Sequence, residues 1–200
     1  TDATLELSEI ILRDSARLQV ADAERTNRKR REHHKSAVEP LYTPEHVDPF
    51  PGLVRPVEFH TPVEVAPGIV ARWCEAGHMF GSGSIELTVD EDGRKKVVIF
   101  SGDLGPLSMP ILRPFEPFKK ADMVFMESTY GDRDHKPYEQ TVAEFERIVQ
   151  EVVSAGGKIL VPTFAIGRSQ QILYHLAIMF LQKKVKPFPV FLDSPMAIEA

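Results

Sequence analysis

The sequence predicts an α/β fold built from two unlike parts, and three observations carry that expectation. Residues 69–100 read as short apolar strands joined by tight turns. From Lys136 onward the pattern changes to alternating helix and strand, with a boundary near residues 130–137. Four apolar runs also end in small polar residues, which is how α/β proteins line a ligand crevice at the carboxyl ends of their strands.

Taken in order, residues 1–39 contain neither Gly nor Pro. Leu7, Ile11 and Leu18 give them one apolar helical face that becomes polar after Val20. Arg25, Arg28, Lys29, Arg30, Arg31 and Lys35 then crowd a basic stretch. It reads as a solvated helix face or a disordered arm, with a phosphate-facing patch as the alternative. His33 and His34 are adjacent and cannot share a helix face, which argues against a metal site there.

Pro40, Pro44, Pro49, Pro51, Pro56, Pro62 and Pro67 exclude long helices from the next stretch. It is predicted as a connection with short edge strands such as Val57–His60. Strands are then expected at Ile69–Cys74, Ser84–Asp90 and Lys95–Phe100, the last two joined by a hairpin turn at Glu91-Asp92-Gly93-Arg94. Ala121–Met126 is a further apolar run. Helices are predicted over Tyr138–Ala155, ended by Gly156-Gly157, and over Arg168–Lys183, with another starting after Pro195. The runs Lys158–Pro162 and Pro189–Leu192 complete a βαβ rhythm, which implies parallel strands with helices packed on them.

Composition narrows the function. A hydrophobic content of 42% is enough for a real core. A net charge of −5 argues against a chain coated by nucleic acid over its whole surface, though it leaves room for a local basic groove. The single cysteine, Cys74, excludes an internal disulfide framework and fits a reducing, cytoplasmic compartment. No signal peptide and no apolar run of membrane-spanning length is evident, so no membrane is expected. Thr1 in place of Met, and Ala200 inside a predicted helix, read as truncation points.

The chemistry concentrates at the strand ends. Phe100 is followed by Ser101-Gly102-Asp103, Met126 by Glu127-Ser128-Thr129, Val161 by Pro162-Thr163 and Leu192 by Asp193-Ser194. Each has a plain alternative: Asp103 as a turn former, Glu127 as a helix cap, Asp193-Ser194-Pro195 as a helix start. His78 sits among Gly77 and Gly81-Ser82-Gly83, small residues that let a backbone approach an ion. Gly81-Ser82-Gly83 lacks the Gly-Lys-Ser/Thr of a nucleotide loop, and no Gly-x-Ser-x-Gly elbow supports a serine hydrolase. Cys74 reads as a strand core thiol. His46, His60, His135 and His175 stand alone, His175 as a packing or surface residue of a helix. One His and one Asp fall short of the three or more ligands of a catalytic metal site.

Five ordered motifs nevertheless share one resemblance. Ala76–Ser82, Phe100–Gly105, Glu127–Gly131, Val161–Gln170 and Leu192–Ala197 are similar to the middle of the β-CASP branch of the metallo-β-lactamase fold. That branch includes RNase J and the endonuclease subunit of the cleavage and polyadenylation machinery. The resemblance implies a partial αββα metallo-β-lactamase-like domain over 1–132 and the start of an α/β β-CASP domain over 133–200. It implies a zinc-dependent ribonuclease, with RNA as partner and a homodimer as a further candidate assembly. In its terms His78 is a ligand to one zinc and Asp103 is the carboxylate bridging two zincs. Glu127 is the catalytic acidic residue that orients a later histidine, the proton donor to the leaving oxygen. The resemblance assigns no RNA-binding residues. The family's His-x-His-x-Asp-His motif would precede residue 1 and its late histidines would follow residue 200, so an incomplete site without useful turnover is expected of these residues alone. Two other readings stand beside it. A catalytically silent paralogue acting as a scaffold has no chemical need to keep His78, Asp103 and Glu127 together. A small-molecule hydrolase of the same fold has no use for the α/β segment after Glu127.

Overall fold

The long glycine-free opening forms helix α1, Asp2–Glu32, in a computed structural model that describes residues 1–200. Thr1 caps it, its hydroxyl accepting from the Thr4 amide at 3.3 Å, and Lys29, Arg30 and Arg31 complement the dipole at the far end. The basic stretch is therefore helical to Glu32, and most of its side chains are in solvent. Ala16 and Ala23 are buried, and their small side chains let neighbouring chain pack close. Two short helices that the prolines start, α2 (Pro44–Val47) and α3 (Phe50–Leu53), lie against α1. Arg13 ties this corner by donating to carboxylates on both sides, Glu9 at 2.9 Å and Asp48 at 2.8 Å.

A single five-stranded sheet follows in the order β1-β2-β3-β4-β5. Strands β1 (Val63–Ala66), β2 (Ile69–Glu75), β3 (Gly83–Glu91) and β4 (Arg94–Phe100) form an antiparallel meander. The β3–β4 hairpin turns as the sequence requires. Asp92 and Gly93 both have positive φ, 53° and 78°, the backbone that matches the twist of the flanking strands. Strand β5 (Met123–Phe125) joins β4 in parallel.

Three expectations need correction. Val57–His60 is not a strand: His60 takes φ 65°, which breaks extended backbone, and its amide makes a single bond to Trp73 O at 2.8 Å on the edge of β2. The edge strand is instead β1, paired beside a Pro67-Gly68 turn. Lys158–Pro162 and Pro189–Leu192 also join no ladder, and Leu160 and Phe191 are 92% and 87% exposed. Apolar composition there reports a need for cover, but a strand exists only where a partner edge accepts its hydrogen bonds. The parallel βαβ unit is therefore not formed.

The two predicted helices do form, as α4 (Tyr138–Ser154) and α5 (Arg168–Leu181). They share a core of Val149, Leu176 and Met179, enclosed by Phe145, Val153, Ile172, Val185 and Phe188. Lys184 reaches Glu146 at 2.6 Å across the pair. The Tyr138 hydroxyl and His175 Nε2 lie 2.8 Å apart, and burial holds the His175 ring below its usual pKa. Helix α6 (Pro195–Glu199) ends the chain and touches α1. No helix is long and apolar enough to cross a membrane.

Candidate metal centre

The sheet brings His78 and Asp103 together by aligning the ends of β2, β3 and β4. Beyond Glu75 the chain makes a turn whose shape is held by Ser82. Its hydroxyl accepts from the amides of His78 and Met79 at 3.1 and 3.2 Å, while its carbonyl accepts from the Ala76 amide. The buried Glu75 carboxylate accepts from the Gly77 amide at 3.1 Å. From outside, α1 braces the same turn, the Thr4 hydroxyl donating to Gly81 O at 2.6 Å.

The Asp103 turn is anchored by the buried Ser101. Its amide donates to Phe125 O, its hydroxyl accepts from the Glu127 amide at 3.1 Å, and its carbonyl takes the hydroxyl of Ser84 at 2.6 Å. Gly102, at φ 59°, then reverses the chain. The two turns meet backbone to backbone, Gly105 N donating to Ala76 O at 2.8 Å. No side chain fits there: a Cβ on Gly105 would lie 1.7 Å from Gly77 O. Gly77 is as confined, at φ 67° with the Arg113 carbonyl 2.8 Å from where its Cβ would be.

This packing leaves His78 Nε2 and Asp103 Oδ2 3.9 Å apart, with Asp103 76% exposed. Two donors on one tetrahedral zinc, each bonded at about 2.0–2.2 Å, stand about 3.3–3.6 Å apart, slightly closer than this pair. Glu127 closes the group, its carboxylate accepting from the Leu104 amide at 3.3 Å and the Thr129 amide at 3.1 Å. The Thr129 side chain and amide, then the Leu104 amide and the nearby His78, hold Glu127 below the usual carboxylate range. It is an anion at neutral pH, latched to the Asp103 loop.

The polar residues after Val161 and Leu192 do not join this group. Ser194 caps α6, accepting from the Ala197 amide at 3.2 Å, and Thr163 and Asp193 are exposed. One cluster escaped the sequence reading. His60, Cys74 and Glu116 place three donor atoms within 4.8 Å of one another. By sequence His60 stands alone and Cys74 is a strand core thiol, and nothing in the spacing of 60, 74 and 116 signals their meeting.

No family model matches the chain. Among curated proteins it is 36% identical over 198 residues to "Ribonuclease TTHA0252" of Thermus thermophilus, covering 98% of this chain and 40% of that protein. It is 32% identical over 136 residues to an "RNase J-like protein" of Methanocaldococcus jannaschii, covering 66% of this chain and 31% of that one. Against "Cleavage and polyadenylation specificity factor 73" of Drosophila melanogaster it is 29% identical over 161 residues, 78% of this chain and 22% of that protein. The chain thus spans less than half the length of each of these relatives. With a bacterial, an archaeal and an animal relative aligned along it, the chain belongs to the β-CASP branch of the metallo-β-lactamase fold.

Proposed function

We propose that these residues are part of a zinc-dependent ribonuclease that hydrolyses RNA phosphodiester bonds. The observation that carries the reading is the meeting of the His78 and Asp103 turns at 3.9 Å with Glu127 latched to the second of them. The names of the relatives, ribonucleases among them, agree with it. Residues 1–132 would be the metallo-β-lactamase-like, αββα portion and residues 133–200 the beginning of the β-CASP domain.

His78 would bind one zinc through Nε2. Asp103 would bridge two, since a carboxylate has two oxygens to share and its charge offsets that of the ions. Such a pair of ions, when bound, supplies a water ionised near neutral pH and a clamp on the charge developing at phosphorus. Glu127, held anionic by Thr129 and Leu104, would orient the group that protonates the leaving oxygen. Two ligands are fewer than a catalytic zinc takes, so the His78–Asp103 pair of residues 1–200 alone would hold metal weakly and turn over no RNA. The single free thiol suits a reducing, cytoplasmic setting.

The test is to express the complete reading frame that encodes this chain, measure bound zinc and assay 5′-monophosphate and 5′-blocked RNA. Two zincs bound at this centre with RNA cleavage are expected, and Asp103→Asn should lose those ions and cleavage together. Two zincs without RNA cleavage would defeat the nuclease reading. Full activity in the Asn variant would defeat the ligand assignment.

A further inference from the structure

We propose that His60 Nε2, Cys74 Sγ and the Glu116 carboxylate form a separate three-ligand zinc site, which staples two irregular segments to strand β2. Three observations support it, none of them involving His78 or Asp103.

The first is the donor set. A thiolate, an imidazole and a carboxylate are the three side-chain ligands zinc takes, and the three atoms already lie within 4.8 Å of one another. His60 Nε2 and Glu116 Oε1 are 3.3 Å apart. That matches the about 3.3–3.8 Å expected between two ligands on a tetrahedral ion with bonds of 2.0–2.3 Å. Bringing Sγ into the same sphere needs only a contraction of the two half-exposed side chains toward the fixed, buried thiol.

The second is how the backbone delivers them. Cys74 lies in β2 between Trp73 and Glu75, and the carbonyls of those two neighbours receive the other two ligand segments. His60 N donates to Trp73 O at 2.8 Å, and Glu116 N donates to Glu75 O at 2.9 Å. His60 holds a left-handed backbone, φ 65°, as it is delivered. A β-carbon residue pays for that conformation, and here it turns the imidazole toward the thiol rather than along an edge strand.

The third is charge. Cys74 is a free, buried thiol. Binding breaks its S–H bond, forms an S–Zn bond and releases one proton to solvent. Thiolate and carboxylate then cancel the two charges of the ion, so no net charge enters this partly buried place. A water completes the four-coordinate sphere. The site would brace the Arg113–Glu116 segment, whose backbone confines Gly77 beside His78.

Cobalt(II) is the probe, because a cysteine ligand gives a thiolate-to-cobalt charge-transfer absorption that His and Asp ligands do not. The complete protein is titrated with cobalt and compared with its Cys74→Ser, His60→Gln and Glu116→Gln variants, with circular dichroism to report folding. The wild type should develop the band and Cys74→Ser should lack that part of it. His60→Gln and Glu116→Gln should keep the band but bind cobalt at least ~10-fold more weakly, the loss that even outer-shell changes cause. The proposal is overturned if the wild type shows no band, or if folded Cys74→Ser keeps it in full. It is overturned equally if both glutamine variants bind cobalt as tightly as the wild type. Should Cys74→Ser fail to fold, the two glutamine variants decide the matter alone. The proposed His78–Asp103 centre contains no cysteine, so failure there leaves this absorption unchanged.

Discussion

Gly105 decides how near Asp103 comes to His78. Its amide bonds to Ala76 O and its Cα faces Gly77 O so closely that a methyl group would overlap it at 1.7 Å. Neither partner can yield, because both atoms are backbone and Gly77 is itself wedged against Arg113. Gly105→Ala is expected to destabilise the fold by about 1–3 kcal/mol, the range for inserting a methyl group into a filled space. Urea denaturation of the two forms measures it, and equal midpoints would show that the turns part without cost. Around this contact the residue types were legible in the sequence: a His and an Asp among glycines, and a Glu after an apolar run. The hydroxyl of Ser101, which accepts from Glu127 N, was not. A serine beside a glycine looks the same in any turn, and only the parallel pairing of β5 with β4 brings Glu127 to it.

At the scale of elements, the helices and the antiparallel meander follow local rules. The apolar period of α4 and α5 marks the faces that meet around Val149, Leu176 and Met179. The positive φ values of Asp92 and Gly93 set the β3–β4 register. Met179 is fully buried at the centre of the helix pair, so Met179→Ala should lower stability by about 2–5 kcal/mol. Loss of helical circular dichroism at a lower urea concentration is the expected readout, and an unchanged midpoint would mean that the pair contributes nothing to the fold. Where an element depends on a distant partner, the local signal misleads. The segment Val57–His60 has strand composition but donates one bond to β2 and turns away, while Val63–Ala66 takes the edge.

Across the whole molecule, apolar surface is unevenly covered. Leu160, Phe164 and Phe191 are each more than four-fifths exposed, and β5 is open along its length. Exposed apolar runs of this kind favour association. Replacing Leu160 and Phe191 together with Ser should change the unfolding free energy by no more than the about 0.5 kcal/mol of ordinary surface changes. The same variant should be less prone to self-association in light scattering. A large loss of stability would mean that these side chains are packed in solution. The sequence by itself determined the mixed α/β character, the helices α4 and α5, the β3–β4 hairpin and the residue types of the candidate centre. All of these rest on periodicity, turn chemistry or short motifs, which act within a few residues. The tertiary structure alone decided that Lys158–Pro162 and Pro189–Leu192 pair with nothing, that Ser101 and Gly105 lock Asp103 beside His78, and that His60 and Glu116 flank Cys74. Those outcomes depend on which edges and loops meet across tens of residues, and no local propensity encodes that.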